Sequence, residues 1–150
     1  MSESYLKIIP NEPDYVPDPK SRSQVLVFLT SIFNQADYIE SEVFETINFI
    51  HPGENFKSIS CPYCSAEISD WWSKEMGKLA EHQFSNLVVT TPCCQSSLSM
   101  NDLDYCFQAG FTKFVIEIKN PSIGSDLNNS IVQEIEKLLE CKVRQVFVHL

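Results

Sequence analysis

The sequence predicts a single α+β domain in which helices cover one face of an antiparallel sheet and an insertion separates the two halves of that sheet. The first and last parts of the chain each have the order strand, helix, strand, and the middle contains two close groups of cysteines. The chain of 150 residues, with 43% apolar and 21% charged residues, has the length and composition of one globular domain.

The first predicted half, residues 1–51, begins with a short strand at residues 6–9. This strand is followed by a proline-rich stretch that suits neither helix nor central strand, containing Pro10, Pro13, Pro17 and Pro19. Ser21 or Ser23 then offers an N-cap for an amphipathic helix, whose apolar stripe is Val25, Phe28, Leu29, Ile32 and Phe33. Residues 42–50 alternate with period two, which predicts a second strand that ends at Pro52-Gly53.

The second predicted half, residues 111–150, repeats this order without repeating the residues. A strand is expected at residues 114–118, and an amphipathic helix begins near Asp126. The alternating residues 143–150 predict a final strand. Two β-α-β halves are typical of a ferredoxin-like sandwich with both helices on one face of the sheet.

Residues 52–110 form the predicted insertion. Within it, Ser69-Asp70 is expected to cap a short helix, and residues 87–90 are expected to form a short strand. The predicted buried stripe of that helix is Trp72, Met76, Leu79 and Ala80. We expect the loops of the insertion to lack an adequate core of their own, so that a metal ion would be needed to hold them together.

The charge of the chain restricts its partners. There are 20 acidic and 11 basic residues, giving a net charge of −9. This sign opposes generic binding to nucleic acid or to an anionic membrane, and it is compatible with a basic protein partner. Nucleic-acid binding through the insertion would need Lys57, Lys74, Lys78 and Lys113 to gather on one face.

The sequence favours a cytoplasmic location and gives no prediction of oligomeric state. Residues 1–7 lack the basic start and apolar stretch of a signal peptide. The most apolar run, residues 25–29, is too short to cross a bilayer.

Four of the six cysteines stand in two close groups, Cys61 with Cys64 and Cys93 with Cys94. Six cysteines would permit three disulfides, but disulfides require an oxidising compartment. In a reducing compartment this grouping indicates a metal site. Zn²⁺ prefers tetrahedral coordination by thiolate or imidazole, and two cysteines separated by two residues can bind it from one tight turn.

The segment Cys61-Pro-Tyr-Cys64-Ser65 resembles the first knuckle of zinc-ribbon proteins, usually written C-P-x-C-G. The second group departs from the pattern of that family, because Thr91 stands where the first cysteine of a second C-x-x-C would be, although Cys94 matches the second position. The resemblance covers about residues 61–95. It implies a structural zinc ion bound by Cys61, Cys64, Cys93 and Cys94.

Alternatives to this ligand set remain open. His82 is the substitute for Cys93 as the fourth ligand, although a histidine on the outer face of the predicted helix is more often solvated. Without a metal, the thiols would be buried and free, or Cys93 and Cys94 would form a vicinal disulfide. Cys106 and Cys141 have no close partner in sequence and are expected to be buried thiols.

Cys61-Pro-Tyr-Cys64 also resembles the active-site tetrapeptide of glutaredoxins, which implies a nucleophilic Cys61 and a resolving Cys64. Such a nucleophile is commonly activated at a helix N-terminus directly after a strand. Here the preceding residues form a weak strand at best, and the predicted helix cap at Ser69-Asp70 comes several residues too late. A thiol–disulfide oxidoreductase is therefore the second hypothesis.

The first hypothesis is a non-enzymatic binding or adaptor protein with a structural zinc site, one form of which is an inhibitor or immunity-type protein that masks a basic partner. The sequence contains no H-E-x-x-H, no G-x-S-x-G and no glycine-rich phosphate loop. Trp71 is the candidate binding residue. Neighbouring helical residues point about 100° apart, so a buried Trp72 leaves Trp71 at the boundary or exposed.

Overall fold

The computed structural model describes residues 3–122 and 127–149. The elements in these ranges are β1 (Ser4–Pro10), α1 (Pro19–Ile32), β2 (Tyr38–Ile50), β3 (Ile59–Ser60), α2 (Ser69–Ala80), β4 (Val88–Thr90), β5 (Ser97–Ser99), a 3-10 turn (Met100–Asp102), β6 (Asp104–Tyr105), β7 (Gly110–Lys119), α3 (Asn129–Leu139) and β8 (Val143–His149). None of the helices in the described ranges is both long and apolar enough to cross a membrane.

The main layer is an open antiparallel sheet with the strand order β2-β7-β1-β8. The predicted order strand, helix, strand is present on both sides of the insertion, as β1-α1-β2 and β7-α3-β8. In each unit the two strands are parallel and one antiparallel strand lies between them. Helices α1 and α3 pack on one face through Leu6, Ile8, Val25, Leu29, Phe114, Ile116, Ile118, Ile135 and Leu139. The fold is therefore α+β, as predicted.

The start of α1 differs from the prediction. Ser21 and Ser23 lie inside the helix, and the cap is Asp18, whose carboxylate accepts a hydrogen bond of 2.7 Å from the backbone N–H of Ser21. Pro19 is the first helical residue, a position where the missing N–H costs nothing because that group has no partner in the helix. Two of the four prolines therefore lie in elements that the stretch was expected not to form, since Pro10 ends the central strand β1 and Pro19 begins α1.

The second helix of the sheet layer also begins later than the sequence suggested. Asn128 caps α3 by accepting a hydrogen bond of 3.0 Å from the N–H of Ile131. The predicted start near Asp126 and the predicted last strand residue Leu150 lie outside the described residues. The strands themselves extend beyond the predicted cores, since β7 covers ten residues and β2 covers thirteen.

A bulge divides β2 into two parts. Val43 pairs with Phe114 and Asn48 pairs with Thr112, so residues 44–47 face a single residue of β7. Bulges bend the strand that carries them and increase its twist. Beyond the bulge, Ile50 packs against residues of the sheet face that the helices leave open: Ile9, Val115, Val146 and Val148.

The insertion has its own apolar core, so the expectation that it lacks one is wrong. Its buried residues are Ile59, Cys61, Ile68, Trp72, Leu87, Val89, Leu98, Met100, Leu103, Tyr105 and Ala109, joined by Ile47 and Phe111 from the sheet. Inside this core, the indole N–H of Trp72 donates to the Tyr105 hydroxyl over 3.2 Å, and that hydroxyl donates to the carbonyl of Met100 over 2.7 Å. The ends of β2 and β7 therefore share one core with the insertion.

Two details of α2 also correct the prediction. The N-cap position is Ile68, and no side chain caps the helix there. The hydroxyl of Ser69 instead accepts a hydrogen bond from the N–H of Ile59, which ties the helix start to β3. Trp72 is buried as expected, but Ala80 is exposed at the last turn of the helix.

A buried polar contact fixes the insertion to the sheet. The side chain of Asn101 accepts from the N–H of Phe111 over 2.9 Å and donates to the carbonyl of Asn11 over 2.8 Å. The guanidinium of Arg144 in β8 donates to the carbonyls of Asn101 and Ala109 over 3.0 and 2.8 Å. Burying a polar group without a hydrogen-bond partner costs free energy. These bonds therefore favour one orientation of the insertion relative to the sheet.

Candidate metal centre

Two tight turns with the same backbone geometry carry the clustered cysteines. In the first turn, residues 61–66, the N–H of Cys61 donates to the carbonyl of Ala66 and the N–H of Ser65 donates to the carbonyl of Cys61, each over 2.9 Å. In the second turn, residues 91–96, the equivalent bonds join Thr91 with Ser96 and Gln95 with Thr91, over 2.9 and 3.0 Å. We call these turns the first and second knuckles.

The knuckles match position by position. Ser65 and Gln95 both have left-handed backbones, with φ of 65° and 57°. Ser65 stands at the position that is usually glycine in the C-P-x-C-G pattern of zinc ribbons. Cys64 and Cys94 occupy the same place in their turns. The first position is Cys61 in one knuckle and Thr91 in the other, and both are 1% exposed. Cys93 therefore stands at the position that Tyr63 has in the first knuckle.

The four sulfur atoms of Cys61, Cys64, Cys93 and Cys94 all lie within 4.8 Å of one another. Cys61 Sγ and Cys94 Sγ are 3.7 Å apart. A tetrahedral Zn²⁺ with Zn–S bonds of about 2.3 Å requires sulfur atoms about 3.8 Å apart. All four cysteines are free thiols in this structure. The cluster has the donor type and number that a tetrahedral zinc site needs, and the Cys61–Cys94 pair of sulfur atoms has the required spacing.

The electrostatics of equivalent positions differ between the knuckles. Hydrogen bonds with the hydroxyls of Ser96 and Thr91, at 3.1 and 3.6 Å from the sulfur, lower the pKa of the Cys94 thiol to about 6. At Cys64 the N–H of Ala66 favours the thiolate, but the other three thiols outweigh it and raise the pKa to about 12. Four thiolates this close repel one another, so a bound cation would favour all of them together.

Cys61 is the buried member of the cluster. Burial acts to raise the pKa of its thiol, but the N–H groups of Cys64 and Tyr63 donate to the sulfur, and the pKa is lowered overall. Cys64, Cys93 and Cys94 are exposed. The cluster therefore has one side in the insertion core and the other at the protein surface.

Other residues singled out from the sequence lie away from this cluster. His82 is exposed in the turn after α2 and is not among the grouped ligand atoms of the described residues. Cys141 is partly buried, whereas Cys106 is exposed, which contradicts the expectation of a buried thiol. Lys78 forms a 3.2 Å ion pair with Glu75 on α2.

Trp71 is half-buried and packs against the insertion core, beside the fully packed Trp72. This location agrees with a residue at the boundary of the helix, and its role in binding stays a prediction.

In the sequence, Thr91 stands out only as a departure from the zinc-ribbon motif. In the structure its hydroxyl accepts a hydrogen bond of 3.0 Å from the N–H of Ser96, in addition to the backbone bonds that close the second knuckle, and it also approaches Cys94. Ser96 contacts the same sulfur but had no signal of its own in the sequence. The signal for Thr91 was its spacing, three residues before Cys94, which repeats the spacing of Cys61 and Cys64.

Comparison of the chain with protein-family models, with curated proteins and with solved structures found no match.

Proposed function

We propose that this chain is a non-enzymatic, acidic binding or adaptor protein of the cytosol whose insertion carries a structural zinc ion bound by Cys61, Cys64, Cys93 and Cys94. In this proposal the sheet and its two helices form a ferredoxin-like sandwich, and the two knuckles are a zinc-ribbon-like element inserted between its halves.

The observation that carries the proposal is the convergence of four thiols from two matched turns. A zinc site with four protein ligands has no position for water or substrate, and such closed sites serve structure. The zinc ion would join the turn after β3 to the turn between β4 and β5, two parts of the insertion that belong to separate two-stranded sheets. Its main effect would be to fix the outer surface of the insertion.

The binding role is supported by the surface of the protein. The net charge of −9 favours a cationic partner. An exposed aromatic residue, Tyr63, stands on the first knuckle with 67% of its surface accessible, and Phe107 is 45% accessible between β6 and β7. An inhibitor or immunity-type protein that masks a basic surface is one form that these features support.

The geometry gives less support to a thiol–disulfide oxidoreductase. A nucleophilic thiol needs access to its substrate, whereas Cys61 is 1% exposed. Helix α2 begins at Ser69, so its N-terminus does not carry Cys61. Cys93 and Cys94 also have no place in a two-cysteine exchange mechanism.

Elemental analysis of the untagged protein, together with a count of reactive thiols before and after chelation, tests the zinc site. We expect about one zinc ion per chain and four thiols that become reactive only after chelation. Cys106→Ser is the matched control, because it removes an exposed thiol outside the cluster and should leave the zinc content unchanged. A metal-free protein whose fastest-reacting thiol maps to Cys61, with disulfide reductase activity, would instead establish the redox function.

A further inference from the structure

One edge of the main sheet is open. Strand β2 is the terminal strand, and no strand among the described residues pairs with its outer side. The opposite edge, at β8, is partly covered, since the N–H of Glu54 donates to the carbonyl of His149 over 2.8 Å and Gly53 forms a bridge with the same residue. An edge strand presents a row of backbone N–H and C=O groups that can pair with another chain.

The open edge is regular over residues 38–43, before the bulge of β2. Glu40 and Glu42 are exposed there on the same face, two residues apart. Together with Ser41, Val115 and Glu117 they line a shallow cleft of about 310 Å³. The cleft is therefore lined with carboxylates and contains no basic residue.

Two of the three carboxylates of this edge, those of Glu40 and Glu42, have no counter-charge among the described residues. Glu40 pairs directly with Glu117 across the strands, and opposed like charges destabilise a sheet. Glu117 is satisfied by an ion pair of 3.3 Å with Lys7 and by the hydroxyl of Tyr38. In the part of the chain that the structure describes, neither Glu40 nor Glu42 forms an ion pair. A cation supplied from outside would relieve this repulsion.

The other face of the same segment is less polar. Ile39 packs at the margin of the helix-covered core, and Val43 leaves 45% of its surface exposed. Residues 38–43 thus present Glu40 and Glu42 on one face and Ile39, Ser41 and the partly uncovered Val43 on the other. A strand added at this edge would meet both faces through alternate side chains.

We propose that residues 38–43 of β2 bind an extended segment of a partner protein, in which basic and apolar residues alternate, by adding it to the sheet as a fifth strand. Its basic side chains would lie beside Glu40 and Glu42, and its apolar side chains would cover Val43. This inference rests on the proposed role as a binding protein and supplies the chemistry of the partner. A second copy of this chain is a poor occupant, because its own Glu40 and Glu42 would repel these carboxylates.

The test uses a blocked octapeptide of alternating lysine and valine, titrated into the isotopically labelled, zinc-loaded full-length protein. We expect backbone amide signals to shift at residues 38–43 and in the adjoining part of β7. A peptide of the same composition with four lysines followed by four valines should bind at least tenfold more weakly, since its charges cannot alternate along the edge. The affinity of the alternating peptide should also fall as salt is added.

Matched charge variants distinguish binding at Glu40 and Glu42 from attraction by the net negative charge of the whole protein. Glu40→Gln/Glu42→Gln should weaken binding of the alternating peptide at least tenfold, whereas Glu12→Gln/Glu81→Gln, which removes the same charge from exposed sites elsewhere, should change it less than twofold. Equal weakening in both variants, shifts located away from β2, or self-association of the protein through β2 would overturn the proposal. Zinc content is measured on the same samples. A zinc-loaded protein that fails to bind therefore refutes only the edge site, and a zinc-free protein that binds refutes only the metal site.

Discussion

Residues 61–66 and 91–96 turn in the same way, but the first position of the turn is Cys61 in one knuckle and Thr91 in the other. The knuckle backbone therefore does not require a sulfur at that position, since the same backbone hydrogen bonds close both turns. The missing sulfur is supplied by Cys93, one residue before Cys94 and on the exposed side of the turn. The two knuckles should therefore differ in how firmly they hold a metal.

The largest difference is expected between Cys61→Ser and Cys93→Ser. Cys61 is both a proposed ligand and a buried member of the insertion core, so its loss removes the zinc ion and leaves a polar group in that core. Cys93 is exposed, and its loss leaves three thiols that bind zinc more weakly. Zinc retained after dialysis and the thermal unfolding midpoint would measure both effects. A Cys93→Ser protein as unstable as Cys61→Ser would contradict the asymmetry of the knuckles.

A rescue experiment tests whether residue 91 can take the role of Cys61. Thr91→Cys in the Cys93→Ser background gives the second knuckle the spacing of the first, with a sulfur at a position that is already buried. We expect this double variant to recover the zinc stoichiometry that Cys93→Ser loses. Cys93→Ser combined with Ser97→Cys, which adds a thiol outside the turn, is the control and should not recover it. Failure of the Thr91→Cys rescue would mean that a cysteine at position 91 is not equivalent to Cys61 as a metal ligand.

The equivalent cysteines Cys64 and Cys94 should titrate in opposite directions in the metal-free protein. The pKa of Cys94 is lowered to about 6 from its ordinary value of 9.0, whereas that of Cys64 is raised to about 12. The Cys94 thiolate thus contributes stability above pH 9, and this is lost as the pH falls towards 6. The contribution of Cys64 is present below pH 9 and is lost as the pH rises towards 12.

Alkylation of the chelated protein across this pH range, followed by mass spectrometry of the peptides, would measure the two thiols separately. Cys94 should react with a midpoint near pH 6, while Cys64 stays unreactive at neutral pH. Ser96→Ala should raise the midpoint for Cys94, because it removes the hydroxyl that is 3.1 Å from the sulfur. The same midpoint at both cysteines would show that the hydroxyls of the second knuckle do not distinguish them.

The smallest effect is expected from glycine at the left-handed position of each knuckle. Ser65→Gly and Gln95→Gly remove a side chain from a backbone that disfavours one, and each should stabilise the protein by about 0.5–1 kcal/mol. The gain should be similar in both knuckles because their φ angles are similar. Urea denaturation of the zinc-loaded protein would measure it, and a loss of stability in either variant would show that the replaced side chain makes a contact of its own.

Sequence patterns are sufficient to predict the order of the sheet elements, because each of β1, β2, β7 and β8 contains a run of strand-forming apolar residues. They do not predict the bulge in β2, since residues 44–47 continue the alternation through the irregular region. Periodicity also does not predict the apolar core of the insertion. That core is assembled from short strands and isolated apolar residues such as Ile59 and Leu98, which show no periodicity in sequence.

The cysteine cluster was predictable because the C-x-x-C spacing requires only a local turn. The equivalence of Thr91 and Cys61 was not, since it depends on backbone hydrogen bonds that are the same in the two turns. The exposure of the Cys106 thiol could not be predicted from the sequence either. Cys106 is exposed although it lies between Tyr105 and Phe107, directly after the end of the short strand β6.

The contact of Arg144 with Asn101 requires the last strand, β8, and so can form only late in folding. Strand β1 pairs only with β7 and β8, and Arg144 reaches back to Asn11 across 133 residues. During synthesis, therefore, β1 has no partner strand until β7 (Gly110–Lys119) has been made. The knuckles need no such wait, because their closing hydrogen bonds join residues at most five positions apart. Long-range pairing is slow to form, so the insertion can fold before the sheet is complete. Its contact with Arg144 forms only after β8 has been made.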